Sequence, residues 1–189
     1  MPRTPVLLPD LSNRGLEAEL IHPGNDVPAF KSLVMAEMMA LTKAAYGNEI
    51  TEAHIKNTGY CLIIKENDVT IAGCLIDFES YPSAHFYTRM EAVMPDMQRK
   101  GIGRLLFRCV ETAASYLTNY EYFIYAELSM DPASESGFYL VATIDRSPNM
   151  DDDNTSGHGA FMRKVGFVRS NFDWECGDDC VEFCRFVAY

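Results

Sequence analysis

The sequence predicts a single-domain α/β or α+β fold built around a mixed sheet. The chain has 189 residues, which is the size of one ordinary domain. Hydrophobic residues make up 48% and charged residues 23%, values typical of a globular chain with a sizeable core. Segments with the two-residue period of strands alternate with segments of helical period, as a domain of layered sheet and helices requires.

The individual elements follow from apolar periodicity and from the turn residues between them. In chain order we predict a strand Leu16–Ile21, a helix capped by Asn25 or Asp26 and ended by Gly47, a short helix Thr51–Asn57, strands Tyr60–Lys65, Val69–Phe78 and Ala84–Val93, a helix from Gly101 to Leu117, a strand Tyr122–Leu128, a helix Gly159–Val165, and strands Phe167–Trp174 and Cys180–Val187. The helix after Gly101 is the clearest of them, because its apolar residues recur at i, i+3, i+4 and i+7.

Three segments fall outside this regular pattern. Residues 1–14 contain several prolines and are predicted to form a loose N-terminal arm, so that the domain spans 15–189. Residues 134–142 are predicted to form one or two helical turns. Residues 145–157 are polar and acidic, which predicts an insertion that forms a surface loop.

The charge of the chain restricts its partners. A formal net charge of -11 excludes nucleic acid as an expected ligand, since neutralising phosphates requires Lys and Arg. The same charge is repelled by anionic membrane surfaces. It either attracts cationic substrates such as amines or serves only to keep the protein soluble. We found neither a membrane-spanning apolar run nor a secretory signal, which predicts a cytoplasmic protein with free thiols.

A metal site is not expected. Cys176, Cys180 and Cys184 lie four residues apart, but zinc sites usually show paired C-x-x-C spacings, often with histidine nearby. Here there is no second pair and no adjacent histidine. The spacing therefore favours packing over metal binding.

The segment Gln98–Gly103 carries the strongest chemical signal. It joins a strand to a helix, where the first helical N–H groups have no internal partner and the helix dipole is positive. Glycines there let a phosphate approach the backbone. Basic residues concentrate around it in this otherwise acidic chain: Arg99, Lys100, Arg104 and Arg108. The pattern predicts an anion site suited to a pyrophosphate.

Other interpretations of this segment were weighed. A tight turn that needs glycine for geometry alone stays an alternative. A Walker-type loop is excluded, because no Gly-Lys-Ser or Gly-Lys-Thr follows. A Rossmann loop would need a third glycine at position 106 and an acid at the end of the next strand. Position 106 is Leu106, and Glu121 stands at the start of the next predicted strand, so a Rossmann loop is not expected.

Two motifs in order resemble the GNAT acetyltransferase superfamily. Gln98-x-x-Gly101-x-Gly103 after a strand resembles the family's acyl-CoA pyrophosphate loop, and Glu91–Pro95 looks like its splayed fourth strand. Ala160–Phe167 resembles its second signature, a helix that runs into a Gly-Phe turn. By element order the resemblance covers about residues 16–187. It implies one domain with a mostly antiparallel sheet of about six to seven strands and about four helices.

The resemblance also implies a cofactor site. Backbone amides from Gln98 to Gly103 would hold the CoA pyrophosphate, and the Val93 and Met94 backbone would pair with the pantetheine arm. One of these two amides would face the thioester oxygen. The residues implied in acetyl-CoA binding are Val93, Met94, Gln98, Arg99, Lys100, Gly101, Ile102, Gly103, Arg104 and Phe161.

The chain departs from the family pattern at the general acid. The family usually has a tyrosine four residues before the second-motif glycine, and Met162 stands there. Tyr139 or His158 are candidate substitutes. For the general base we predict Glu91, on the strand that leads to the reaction centre, or Glu127, at the matching place on the next predicted strand.

These observations predict an N-acetyltransferase that moves an acetyl group from acetyl-CoA to a primary amine by direct attack in a ternary complex. Because Met162 removes a catalytic group, an acyl-CoA-binding sensor or interaction module is the main alternative. A nucleotide-phosphate binder of another fold is a third. The sequence leaves the acceptor, a small molecule or a peptide, and the oligomeric state open.

Overall fold

The structure is a computed structural model, and it describes residues 3–48, 50–56, 58–80, 84–130, 137–145, 157–170 and 180–188. The chain forms two compact units. One consists of Met1–Asp77 and Arg89–Leu117, and the other of Phe78–Thr88 and Thr118–Tyr189. The strands Val69–Glu79 and His85–Val93 each pass from one unit to the other.

The described residues form eight strands and six α-helices. The strands are β1 (Arg3–Pro5), β2 (Leu16–Ile21), β3 (Tyr60–Glu66), β4 (Val69–Glu79), β5 (His85–Val93), β6 (Gly137–Asp145), β7 (Val168–Arg169) and β8 (Cys180–Ala188). The helices are α1 (Pro9–Ser12), α2 (Val27–Tyr46), α3 (Glu52–Ile55), α4 (Ile102–Tyr120), α5 (Tyr122–Met130) and α6 (Gly157–Lys164).

The strands form one sheet in the order β1-β2-β3-β4-β5-β6-β8-β7. Neighbours β1/β2, β2/β3, β3/β4, β6/β8 and β7/β8 are antiparallel, whereas β5 and β6 run parallel. The predicted mixed, mostly antiparallel α/β fold is therefore confirmed, with one strand and two helices more than expected. None of the helices among the described residues has the length and apolar composition needed to cross a membrane.

The extra strand lies in the segment predicted to be a loose arm, and that prediction was wrong. Residues 3–5 pair with residues 19–21 of β2, and the Val6 N–H continues the pairing to the Ala18 carbonyl at 2.8 Å. Leu11 of α1 is 3% exposed. Backbone pairing and one buried leucine thus fix a segment whose prolines had indicated a lack of structure.

A second error concerns residues 122–145. The predicted strand 122–128 is helix α5, and the predicted helical turns 134–142 belong to strand β6. Ile124 and Leu128 of α5 are buried one helical turn apart, while Phe123 and Tyr125 are exposed. Periodicity alone does not separate a short apolar strand from a short apolar helix, so tertiary packing decided this case.

Helix α2 begins and ends where the sequence predicts. The Asp26 side chain accepts a hydrogen bond from the Ala29 N–H at 3.0 Å, and Gly47 ends the helix in the left-handed conformation with φ of 76°. Phe30, Val34, Met38 and Leu41 form the buried face, which packs on β2, β3 and β4. This packing places the end of α2 beside the last residues of β5.

The N-terminal strand is tied to α2 by a cluster of charged side chains. Glu37 of α2 accepts hydrogen bonds from Arg3 at 2.9 Å, Lys65 at 3.0 Å and Thr70 at 2.6 Å. Partial burial disfavours the charged form, but these three bonds outweigh it and lower the pKa of Glu37 below its usual 4.5. The Glu37 carboxylate is therefore a stabilising group at neutral pH.

We predict that Glu37→Gln lowers the free energy of unfolding at pH 7 by about 1–3 kcal/mol, because it removes charge-assisted hydrogen bonds. The folded-state pKa is the lower one, so this stabilisation is present above the unfolded pKa. It disappears as the pH falls through the folded value. Urea unfolding from pH 7 down to pH 3 would measure this. Glu17→Gln, at an exposed position of β2, is the control; an equal loss in both variants would contradict the assignment.

Candidate active site

Strand β5 contains one irregular residue near its end. Met90 has a φ of 55°, a left-handed conformation that costs a residue with a side chain about 1–2 kcal/mol. Such strain tends to occur where function requires a special backbone shape. Ala92, Met90 and Met94 all contact the core cluster beneath α2. The irregular residue therefore sits within a firmly packed stretch of strand.

The backbone N–H groups of the two predicted pantetheine contacts, Val93 and Met94, point in different directions. The Met94 N–H donates to the Ile71 carbonyl of β4 at 2.9 Å. Successive N–H groups of a strand point to opposite edges, so the Val93 N–H points away from β4. Met94 is thus engaged with the sheet, and Val93 has the amide directed toward the other edge.

The loop from Gln98 to α4 has a specific shape. The Gln98 side-chain amide donates to the Val93 carbonyl at 3.1 Å, which links the loop to the end of β5. Arg99 and Gly101 are both left-handed, with φ of 61° and 83°. Alternating left-handed residues turn successive N–H groups toward one concave side, a backbone arrangement known to bind anions.

The amides of this loop have no protein acceptor. Among the described residues, no carbonyl or side chain accepts from the N–H groups of residues 99–104. The first helical bond of α4 is from the Leu105 N–H to the Gly101 carbonyl, at 3.1 Å. These donors lie at the positive end of a 19-residue helix. The loop therefore offers backbone donors at the positive end of a helix, a place where anions are favoured.

Exposed cations surround these donors. Arg99, Lys100 and Arg104 are exposed. Arg108, one turn further along α4, instead forms an ion pair with Asp10 of α1. The local charge is therefore positive although the whole chain is acidic.

The structure places one of the two predicted general bases, Glu91, where the sequence predicts it, and the other, Glu127, on a different element. Glu91 lies on β5 between the irregular residue and Val93, as predicted, and is half-buried. The Tyr46 hydroxyl at the end of α2 donates to the Glu91 carbonyl oxygen. Desolvation and the nearby Glu91 carboxylate raise the pKa of Tyr46 above its usual range. Glu127 lies on helix α5, so its predicted place on a strand was wrong.

The second predicted motif has the expected local structure. Helix α6 ends at Lys164. Gly166 follows in the left-handed conformation with φ of 93°, and the Phe167 N–H donates to the Met162 carbonyl at 3.0 Å. This is the usual C-terminal cap of a helix. Met162 is fully buried and Phe161 half-buried. The helix followed by a Gly-Phe turn is confirmed, and Met162 serves as a core residue.

The proposed substitutes for the general acid gain no support. Tyr139 lies on β6, and its ring packs edge-on against Phe186 with centroids 5.1 Å apart. The side chain of His158 lies outside the described residues, as does most of the predicted acidic insertion.

The cysteines of the described residues are buried thiols. Burial raises the pKa of Cys109 to about 12, and that of Cys61, Cys74 and Cys184 also rises by burial. In the described part of the chain, no group of three or more His, Cys, Asp or Glu could hold a metal ion. Cys176 and the Cys180 side chain lie outside it.

Sequence reasoning missed two residues at this site, Arg14 and Tyr46. Arg14 was assigned to the loose arm, yet its Nη1 donates to the Lys100 carbonyl at 3.0 Å. Tyr46 looked like the end of an amphipathic helix. Neither has a local signal, because each reaches the site from an element distant in sequence.

The site and fold define an α/β protein in which a basic, glycine-containing loop follows an irregular strand. The acetyltransferase (GNAT) family matches residues 28–140, which is more than half of the chain. This chain belongs to that family. No curated protein sequence matches it.

Solved structures share the fold at low sequence identity. An acetyltransferase of the same family from Elizabethkingia anophelis, with acetyl-CoA bound, has a TM-score of 0.52 and 16% identity, covering 92% of this chain and 99% of that one. An IAA acetyltransferase from Bacillus cereus ATCC 14579 has a TM-score of 0.53 and 19% identity, covering 91% and 99%. The Escherichia coli ribosomal-protein-S18-alanine N-acetyltransferase has a TM-score of 0.51 and 15% identity, covering 91% and 95%.

The loop geometry predicts the effect of a single methyl group. Gly101→Ala introduces a Cβ at a φ of 83°, which we expect to cost about 1–2 kcal/mol of stability. Thermal or urea unfolding would measure it. Gly59→Ala is the matched control, because a Cβ there meets only the Ile76 carbonyl at 3.8 Å. Equal stability of Gly101→Ala and the parent would show that the left-handed assignment is wrong.

Proposed function

We propose that this protein is an N-acetyltransferase that transfers the acetyl group of acetyl-CoA to a primary amine. The observation that carries the proposal is the run of unpaired N–H groups at residues 99–104, in a chain that belongs to the acetyltransferase (GNAT) family. These donors suit the CoA pyrophosphate. The acetyl-CoA-bound Elizabethkingia structure of the same fold supports this choice of co-substrate.

The irregular end of β5 suits the thioester. With the Met94 N–H engaged by β4, the Val93 N–H is the donor that we assign to the thioester oxygen. As the amine attacks, negative charge builds on that oxygen, and a fixed backbone donor stabilises it without reorganisation. The remaining Val93 polar group, its carbonyl, is already held by Gln98.

The amine must lose a proton to react. An alkylammonium has a pKa of about 10.4, so the free amine is rare at pH 7. We assign the general base to Glu91, acting directly or through a water, because it adjoins the segment that would hold the thioester. Glu127 is the weaker candidate, since its position on α5 removes the reason for which it was chosen.

The leaving group needs little help. When the carbon–sulfur bond breaks, the electron pair stays on sulfur as a thiolate, whose acid has a pKa of about 8.5. A chain with Met162 in place of the usual tyrosine can therefore still turn over. Direct transfer is also favoured by the cysteines of the described residues, because their raised pKa values keep them protonated and poorly nucleophilic.

The alternative is a protein that binds acyl-CoA without efficient transfer, as a sensor or interaction module. Met162 motivates it, because the buried methionine removes a proton donor and leaves the loop unchanged. Binding and turnover have to be measured separately to distinguish the two functions.

Calorimetric titration with acetyl-CoA tests the binding step. We expect the parent to bind, and Gly103→Glu to bind at least tenfold more weakly, because its carboxylate would repel the phosphates in the loop. Gly103→Gln has nearly the same size without the charge and should bind better than the glutamate variant. A folded parent that does not bind acetyl-CoA would refute the proposed function.

Release of free CoA thiol in the presence of a panel of primary amines tests transfer. We expect turnover by the parent, and a loss of about 10²–10⁴-fold in kcat for Glu91→Gln with unchanged acetyl-CoA affinity. The defect should shrink at high pH, where the amine deprotonates without a base. Binding without thiol release for any amine would favour the sensor, and full activity of Glu91→Gln would exclude Glu91 as the base.

A further inference from the structure

We propose that Arg14 binds a phosphate group of CoA, as a cofactor-binding residue supplied by the N-terminal segment. The inference rests on the proposed function, because it concerns the same loop. It extends the site beyond the loop and its neighbouring strand to a part of the chain far away in sequence.

Arg14 is packed directly against the anion loop. Its Nη1 donates to the Lys100 carbonyl at 3.0 Å. A Cβ placed on Gly101 would lie 3.7 Å from both terminal nitrogens of the guanidinium. The cation therefore lies against the Lys100–Gly101 peptide, in the same loop that carries the amides of residues 99–104.

The segment that carries Arg14 has a defined structure held by contacts with the rest of the unit. Leu11 of α1 is buried, and the Arg14 N–H donates to its carbonyl at 2.9 Å. The turn closes at Gly15, which is left-handed with φ of 66°. Asp10 of α1 pairs with Arg108 of α4, which ties α1 to the helix that follows the loop. The fold thus fixes the backbone position of Arg14, whose side chain is exposed.

The Arg14 guanidinium has N–H donors and a positive charge that remain available to a ligand. No carboxylate pairs with it among the described residues, and its guanidinium makes no other hydrogen bond there. Arginine carries five N–H donors in a planar fork that matches phosphate oxygens. Arg108, by contrast, is neutralised by Asp10. An unneutralised guanidinium hydrogen-bonded to the loop that carries these amides is an arrangement that a phosphate completes.

The test is calorimetric titration of acetyl-CoA into the full-length protein and three variants. We expect Arg14→Gln to weaken binding about tenfold, because it removes a charge-assisted contact. Arg14→Lys keeps the charge but not the planar fork, so it should bind more tightly than Arg14→Gln and more weakly than the parent. Arg169→Gln removes an arginine from the exposed strand β7 and should bind like the parent.

Two further measurements separate a direct contact from a structural one. If Arg14 acts by its charge, the ratio of the Arg14→Gln and parent Kd values falls toward one between 50 mM and 500 mM salt, since salt screens the ion pair. Repeating the titration with 3′-dephospho-CoA locates the contact. If Arg14→Gln and the parent bind 3′-dephospho-CoA equally well, Arg14 contacts the 3′-phosphate. If the variant loses as much affinity for this ligand as for acetyl-CoA, Arg14 contacts the pyrophosphate.

The outcomes against the inference are distinct. If the parent binds and Arg14→Gln binds equally well, Arg14 has no role and the proposed function stands. A loss that salt does not change and that lysine does not rescue would make Arg14 a structural support of the loop. A folded parent that does not bind would overturn the proposed function, and the inference with it.

Discussion

The unpaired amides at the start of α4 are the constraint on which the site depends. The first N–H groups of a helix have no partner within it, so a side chain, water or a ligand has to accept from them. Here the N–H groups of residues 99–104 have no acceptor among the described residues, and the left-handed conformations of Arg99 and Gly101 turn them to one side. Two side chains support this shape: Gln98 donates a hydrogen bond to the Val93 carbonyl at the end of β5, and Arg14 donates one to the Lys100 carbonyl.

The second constraint is the irregularity of β5. A left-handed methionine inside a strand is strained, and it persists because the residues around it are packed against the core under α2. The same stretch carries Glu91 and Val93, which the proposed mechanism uses for proton removal and for charge stabilisation. A rigid strand with one irregular residue can hold a carboxylate and a backbone donor within a short span of chain.

The loss of the usual tyrosine is consistent with the chemistry of a thioester. Its leaving group is a good one, whereas the attacking amine is protonated at neutral pH. The chain therefore keeps a carboxylate near the predicted reaction centre and fills the tyrosine position with Met162, which is fully buried.

The sequence by itself determined the features that depend on local physics. The α2 caps at Asp26 and Gly47, the turn between β3 and β4, the end of β5 before Pro95 and the glycine loop before α4 all follow from residues within a few positions of one another. Tertiary structure decided the rest. Residues 122–130 became helix and 137–145 strand, because a short apolar segment adopts the form that buries it best. Arg14 and Tyr46 reach the site only through long-range packing, which no local pattern encodes.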